Sequence, residues 1–198
     1  KAKADYPKYL LFIKETYPSY YAMKYAGQPV ACTALQARMN PNDILVNYAV
    51  VDSVVHIVLI AADQLVYQRT GIQEPLRQAA RRYITALKGE RSKDFVRYSN
   101  FWYHLLIQPI QPYLDGRSLV IIPDAELNYL PFELIPTADV EQRFAVSSKE
   151  NYYLYKELPY LLKTTAVAYN YSATLYLQAI EHDYSTVPAA FMGFAPDF

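Results

Sequence analysis

The chain has 198 residues, 53% of them apolar and 19% charged, which suits one globular domain or slightly more and excludes a largely disordered polypeptide. Nineteen basic residues cancel nineteen acidic ones, so no excess charge steers the chain toward nucleic acid or an anionic membrane. No apolar run reaches the roughly 18–20 residues of a transmembrane helix, and the five glycines form neither a phosphate loop nor a dinucleotide fingerprint. In chain order, residues 5–26 read as a helix with Pro7 in its first turn and Tyr9, Leu10, Ile13 and Tyr17 at helical spacing. Pro18 kinks or ends it. A short helix over 33–39 takes Thr33 as its cap, and Asn40-Pro41-Asn42 is a turn.

Three β-rich runs follow, 44–51, 54–61 and 65–69. The first two are joined by Asp52-Ser53, so an antiparallel meander is expected, with at least one strand buried on both faces. Residues 74–88 and 93–107 read as helices, the first with a stripe of Leu76, Ala80, Tyr83, Ile84 and Leu87. The second carries Phe95, Tyr98, Trp102, Leu105 and Leu106 on one side and is stopped by Pro109 and Pro112. Asp115-Gly116 turns the chain into 118–123, SLVIIP, a buried strand. One helical turn is expected at 132–135 and a mobile surface loop over 137–153. A strand over 164–169, a helix over 173–182 capped by Ser172, and a strand over 190–195 complete the chain. The order from Ser118 onward fits an open α/β sheet, with strands 118–123, 164–169 and 190–195 parallel neighbours and the helix a right-handed crossover.

The residues that carry chemistry are scattered. His56 lies mid-strand among valines, His104 in the second long helix, and His182 at a helix C-terminus where the dipole favours its charge. Each reads as a core or surface residue. No HExxH or CxxC spacing occurs, so no metal and no cofactor are expected. The single Cys32 rules out a disulfide within the chain, makes a reducing, cytoplasmic setting the expectation, and reads as a buried, inert thiol. Arg77, Arg81, Arg82 and Lys88 form a solvated basic edge. The cluster Tyr17, Tyr20, Tyr21 and Tyr25 is open between packing and a docking surface.

The run SLVIIPDAELNYLPFELI, residues 118–135, resembles the CHAT family, caspase-like domains often found behind tetratricopeptide repeats in bacterial proteins. The family's buried strand, Pro-Asp and Leu-x-Tyr-Leu-Pro-Phe-Glu run correspond here to Pro123-Asp124, Leu127, Tyr129, Leu130, Pro131, Phe132 and Glu133. YLLKTTAVAYNYSATLYL resembles the second strand and its Ser-Ala helix start, FMGFAPDF the third strand, and NDILVNYAVVDSVVHIVLI the antiparallel sheet ahead of the catalytic one. The resemblance runs from about Tyr6 to Phe198.

It implies three regions. Residues 1–40 are a helical lead-in, the possible end of a repeat region; 41–115 an antiparallel sheet with two helices; and 116–198 the first strands of an incomplete caspase-like sheet with helices on both faces. It also implies a cysteine endopeptidase, whose histidine stands in a His-Gly or His-Ala setting and whose cysteine stands in a Ser-Ala-Cys-Glu-Thr-Gly-like run. Neither run occurs here. No catalytic residue is therefore assigned to this chain, and the dyad is expected beyond Phe198, in a half that was cut from a precursor, trimmed away or disordered. The implied partners are that remaining catalytic part, an upstream sensor or repeat domain and a protein substrate, with no direct nucleic acid and no membrane. The alternative is an interaction or scaffold module that keeps the fold without the dyad. Strands 118–123 and 190–195 both end in Pro-Asp, which places Asp124 and Asp197 on the carboxyl-end rim of the sheet, where open α/β folds bind ligands. Either both aspartates only hydrogen-bond their own turns, or one of them orients the dyad or contacts a substrate residue. Pro123, Leu130, Pro131, Phe132 and Glu133 are the motif's structural residues.

Overall fold

A computed structural model describes residues 2–18, 20–21, 29–89, 92–141 and 155–181. The chain divides into two units, Lys1–Ala31 and Cys32–Phe198. The first is built on helix α1, Ala2–Thr16. It starts three residues ahead of the expected Asp5, so Pro7 lies inside the helix rather than in its first turn, and one backbone hydrogen bond is missing there. It ends two residues before Pro18, because a proline disfavours α geometry in the residue before it. Helical bonding resumes with the Tyr21 N–H on the Tyr17 carbonyl, 2.9 Å. Tyr6, Tyr9, Phe12, Tyr17 and Tyr20 are exposed, and the Lys14 ammonium stands 5.7 Å from the centre of the Tyr21 ring. Tyr25 lies outside the described residues.

The second unit opens with α2, Cys32–Gln36, one residue ahead of the expected cap Thr33. The Asn40 side chain accepts the Asn42 N–H at 2.9 Å and closes the turn into the sheet. Strands β1 (Asp43–Val51), β2 (Val54–Ala61) and β3 (Gln64–Gly71) form the expected meander. Asp52, at φ 52°, makes the first turn tight. Ile44, Leu45 and Val46 are all fully buried, as strands covered on both faces require.

Helix α3 is Leu76–Lys88, with Pro75 at its N-cap. The α4 helix, Ser92–Trp102, does not run on as α to residue 107. It widens into a π turn, Tyr103–Ile107, closed by the Gln108 N–H on the Tyr103 carbonyl at 2.8 Å. The wider turn lets three consecutive apolar residues, Leu105, Leu106 and Ile107, all be buried. Pro109, with no N–H to donate, then stops the helix. Gly116, at φ 73°, occupies the left-handed region that the turn into β4, Ser118–Ile122, demands.

The five described strands form one sheet in the order β3-β2-β1-β4-β5, β5 being Val167–Tyr169. β1 pairs parallel with β4, Ile44 to Leu119 through Asn47 to Ile122, and β4 pairs parallel with β5. The meander is therefore not a separate sheet ahead of the parallel strands. β4 is buried from Leu119 to Ile122, and such a strand needs a neighbour on each edge. β5 is shorter than the expected 164–169 because the N–H groups of Thr164 and Thr165 both close onto the Leu161 carbonyl in the preceding 3-10 turn. The strand expected over 190–195 lies outside the described residues.

Helices cover both faces. Tyr83, Phe95, Tyr98 and Trp102 of α3 and α4 pack in the main core with Tyr48, Ile57 and Ile121. On the opposite face Leu35, Met39 and Tyr176 are buried. Tyr176 belongs to α5, Ala173–Glu181, and its hydroxyl donates to Asp43 on β1 at 3.3 Å. Ser172 caps α5 as expected, its Oγ accepting the Leu175 N–H at 3.1 Å. In the expected mobile loop, the described residues 137–141 are tied down instead. Both the N–H and the hydroxyl of Thr137 donate to the Pro159 carbonyl, and the Val140 N–H donates to the Asn100 side chain.

Candidate functional site

The parallel strands β1, β4 and β5 point their carboxyl ends the same way, and the chain leaves β4 there through Pro123-Asp124. Pro123 cannot donate, which ends pairing. β1 runs on beyond its last pair with β4, Asn47 to Ile122. Its Val50 N–H would be orphaned at that point, but the Asp124 carboxylate accepts it at 2.8 Å. A side chain thus replaces the strand that has peeled away. The Asp124 carbonyl accepts the Leu127 N–H at 3.0 Å, and Ala125, at φ 48°, turns the chain into a 3-10 segment, Ala125–Tyr129. A non-glycine residue in that region carries about 1–2 kcal/mol of strain.

The segment behind this bend is held by three tyrosines from three elements. Leu127, Leu130, Phe132 and Ile135 are buried, and the Phe132 ring centre lies 5.4 Å from that of Tyr48 on β1. Tyr83 on α3 donates its hydroxyl to the Leu134 carbonyl at 2.7 Å. Tyr169, the last residue of β5, accepts the Phe132 N–H at 3.0 Å and donates to the Glu133 carboxylate. Burial pushes the phenol of Tyr169 well above the usual tyrosine range, and its bond to Glu133 adds to that. Burial alone does the same for Tyr48. Pro131 caps the second 3-10 turn, Phe132–Leu134. Leu130, Pro131, Phe132 and Glu133 therefore position the loop.

Two clefts open beside this segment. One, about 480 Å³, lies among Val50, Asp52, Ser53, Ile72, Glu74 and Glu126, at the carboxyl ends of β1 and β3. The other, about 600 Å³, is bounded by Leu87 and Lys88 of α3, by Tyr129, Leu130 and Pro131, and by Tyr169. Ile84 and Leu87, expected in the core stripe of α3, are only half-buried and line this second cleft.

Asp124 stands on the rim beside Val50. Asp197 and His182 lie outside the described residues. The other histidines are engaged elsewhere: His56 Nδ1 is 2.7 Å from the Tyr67 hydroxyl, and His104 Nδ1 is 2.9 Å from Gln108 Oε1, with Asp139 at 3.4 Å from Nε2. Cys32, expected to be buried, is half-buried at the start of α2. The basic edge is partly engaged, Arg82 donating to the Tyr98 hydroxyl at 3.2 Å. Among the described residues no group of three His, Cys, Asp or Glu side chains is placed to hold a metal ion, and no helix is long and apolar enough to cross a membrane. The bracing roles of Tyr48, Tyr83 and Tyr169 escaped sequence reasoning, although Tyr83 falls in the expected core stripe of α3, where it is buried, and Tyr48 on the inward face of β1 by simple alternation.

The architecture is an open α/β sheet whose elaborated loop lies at the carboxyl end of its central parallel strand. Residues 97–193 match the family model of the CHAT domain, a caspase-like family, and the chain is consistent with a fragment of such a domain. The match begins at Arg97, so the meander, which shares the sheet, lies ahead of it. No curated protein matches the chain.

Proposed function

We infer that this chain is the non-catalytic half of a bacterial, cytoplasmic cysteine endopeptidase of the CHAT type, acting on a protein partner under the control of an upstream sensor or repeat domain. The observation that supports it most is the Leu-x-Tyr-Leu-Pro-Phe-Glu segment, folded against the carboxyl ends of β1, β4 and β5 and braced by Tyr48, Tyr83 and Tyr169. Such bracing builds a rigid rim on which loops from later strands can converge. The sequence contains neither of the family's catalytic runs, so on this reading the His/Cys dyad is supplied from outside these 198 residues. Asp124 and Asp197 are rim residues on this reading, and one of them orients the dyad or meets a substrate residue.

The test is to express the complete reading frame, incubate it with a proteome and map newly formed N-termini by mass spectrometry. New termini that vanish after thiol alkylation support the peptidase. Asp124→Asn and Asp197→Asn should then lower kcat/KM with stability retained; wild-type rates for both would make them turn residues only. A scaffold without catalysis is the second reading. It is favoured by the exposed tyrosines of α1, Tyr6 and Tyr9. A complete frame without a His/Cys pair and without new termini selects it.

A further inference from the structure

β3 is the outer strand at one end of the sheet. It pairs with β2 without a bulge over all eight residues, from Val54–Gly71 to Ala61–Gln64. The hairpin turns through two residues, Ala62 and Asp63, so Ala61 and Gln64 are its closing hydrogen-bonded pair. Alternation then directs the N–H and C=O groups of Leu65, Tyr67 and Arg69 away from β2. None of these groups has a backbone partner among the described residues. Natural edges are blunted by proline, charged side chains, bulges or shortness. β3 has no proline, bulge or shortness and a single charged side chain, Arg69, and its Leu65 and Tyr67 side chains are 54% and 58% exposed.

The edge is also complementary to itself. It carries one acidic residue at its hairpin end, Asp63, whose side chain is 74% exposed beside Arg117 at 3.5 Å. It carries one basic residue toward the other end, Arg69, which has no ion-pair partner among the described residues. We propose that β3 pairs antiparallel with β3 of a second copy of this chain, with Val66 opposite Val66 across the two-fold axis. In that register Leu65 faces Tyr67 of the second copy, Arg69 faces its Asp63, and Gln64 faces its Gln68. The outward backbone groups meet as hydrogen-bonded pairs, the apolar and aromatic side chains pair on one face, and opposite charges close both ends. A foreign strand would satisfy the backbone, but it would have no reason to match this placement of charge. A second copy does so by symmetry. The proposal is independent of whether the protein is a peptidase.

Sedimentation of the 198-residue chain over roughly 1–200 µM tests it. The expected result is a monomer–dimer equilibrium whose midpoint falls within that range, as for an interface smaller than the usual stable size. Arg69→Glu, which sets like charges against each other at both ends, should raise the dimer dissociation constant about tenfold or more. Asp63→Arg should do the same. The double variant Asp63→Arg with Arg69→Glu should restore the wild-type value, because the pairing is re-formed with its signs exchanged. Circular dichroism confirms that each variant is folded. A wild-type chain that stays monomeric throughout, or a double variant no tighter than the single ones, overturns the proposal and leaves the edge to a different partner.

Discussion

At the scale of single residues, the Asp124 carboxylate settles how the sheet ends. It accepts the Val50 N–H that β4 no longer reaches, and an exposed hydrogen bond of this kind is worth about 0.5–1.5 kcal/mol net. Asp124→Ala should therefore lower stability by about 1 kcal/mol in urea unfolding, and Asp124→Asn by less, since its amide oxygen still accepts. An unchanged urea midpoint for the alanine variant would show that water serves Val50 equally well. Tyr169→Phe is the companion test. It removes the one oxygen that joins the Phe132 N–H to the Glu133 carboxylate, with an expected loss of about 1–3 kcal/mol. A phenylalanine variant as stable as the parent would mean that packing alone holds the loop. The Pro-Asp pair was legible as a place where the chain leaves the sheet. Its bond to Val50 was not, because the partner lies 74 residues upstream, and local pattern carries no information about which strand stands alongside.

At the scale of elements, legibility follows how local the determining force is. Ser172 reads as a cap because the serine and the helix it serves are contiguous, and its Oγ does accept the Leu175 N–H. Ser172→Ala should cost about 1 kcal/mol, read from the urea midpoint, whereas Ser172→Asp should cost little, since aspartate caps comparably. Equal losses in both would refute the cap. The alternation in β1 and β2 is likewise local, and both strands appear within one residue of their expected limits. The π turn at Tyr103–Ile107 was not legible. Leu105, Leu106 and Ile107 fit an α-helical run, and only the surrounding core demands that all three be buried together. The union of the meander with β4 was hidden for a similar reason, since parallel pairing between Ile44 and Leu119 is a contact of long sequence separation.

At the scale of the whole molecule, tyrosines bind the second unit together, and they give it a pH dependence of definite sign. Burial is the main cause that pushes Tyr160 and Tyr176 up to about 12, with Asp43 adding to the shift at Tyr176. Tyr48, Tyr83 and Tyr169 move in the same direction. In the unfolded chain these phenols ionise near pH 10. The stability they contribute is thus fully present below about pH 10 and drains away as pH rises toward 12. Urea midpoints should be flat from neutrality to about pH 9 and fall steeply above 10, and Tyr176→Phe should soften that fall. A midpoint that stays level to pH 12 would contradict the burial of these groups.

On the proposed reading this chain supplies the rim of a cysteine peptidase whose nucleophile is not among these 198 residues, and Cys32, half-buried at the start of α2, would take no part in bond cleavage. The most direct measurement is kcat/KM of the complete protein on a cleavable partner, with and without Cys32→Ala, before and after thiol alkylation. The account predicts a rate within a few-fold of the parent for Cys32→Ala and abolition of both activities by alkylation. A loss of about 10³-fold or more in Cys32→Ala, the scale of a removed covalent nucleophile, or activity that survives alkylation, would contradict it.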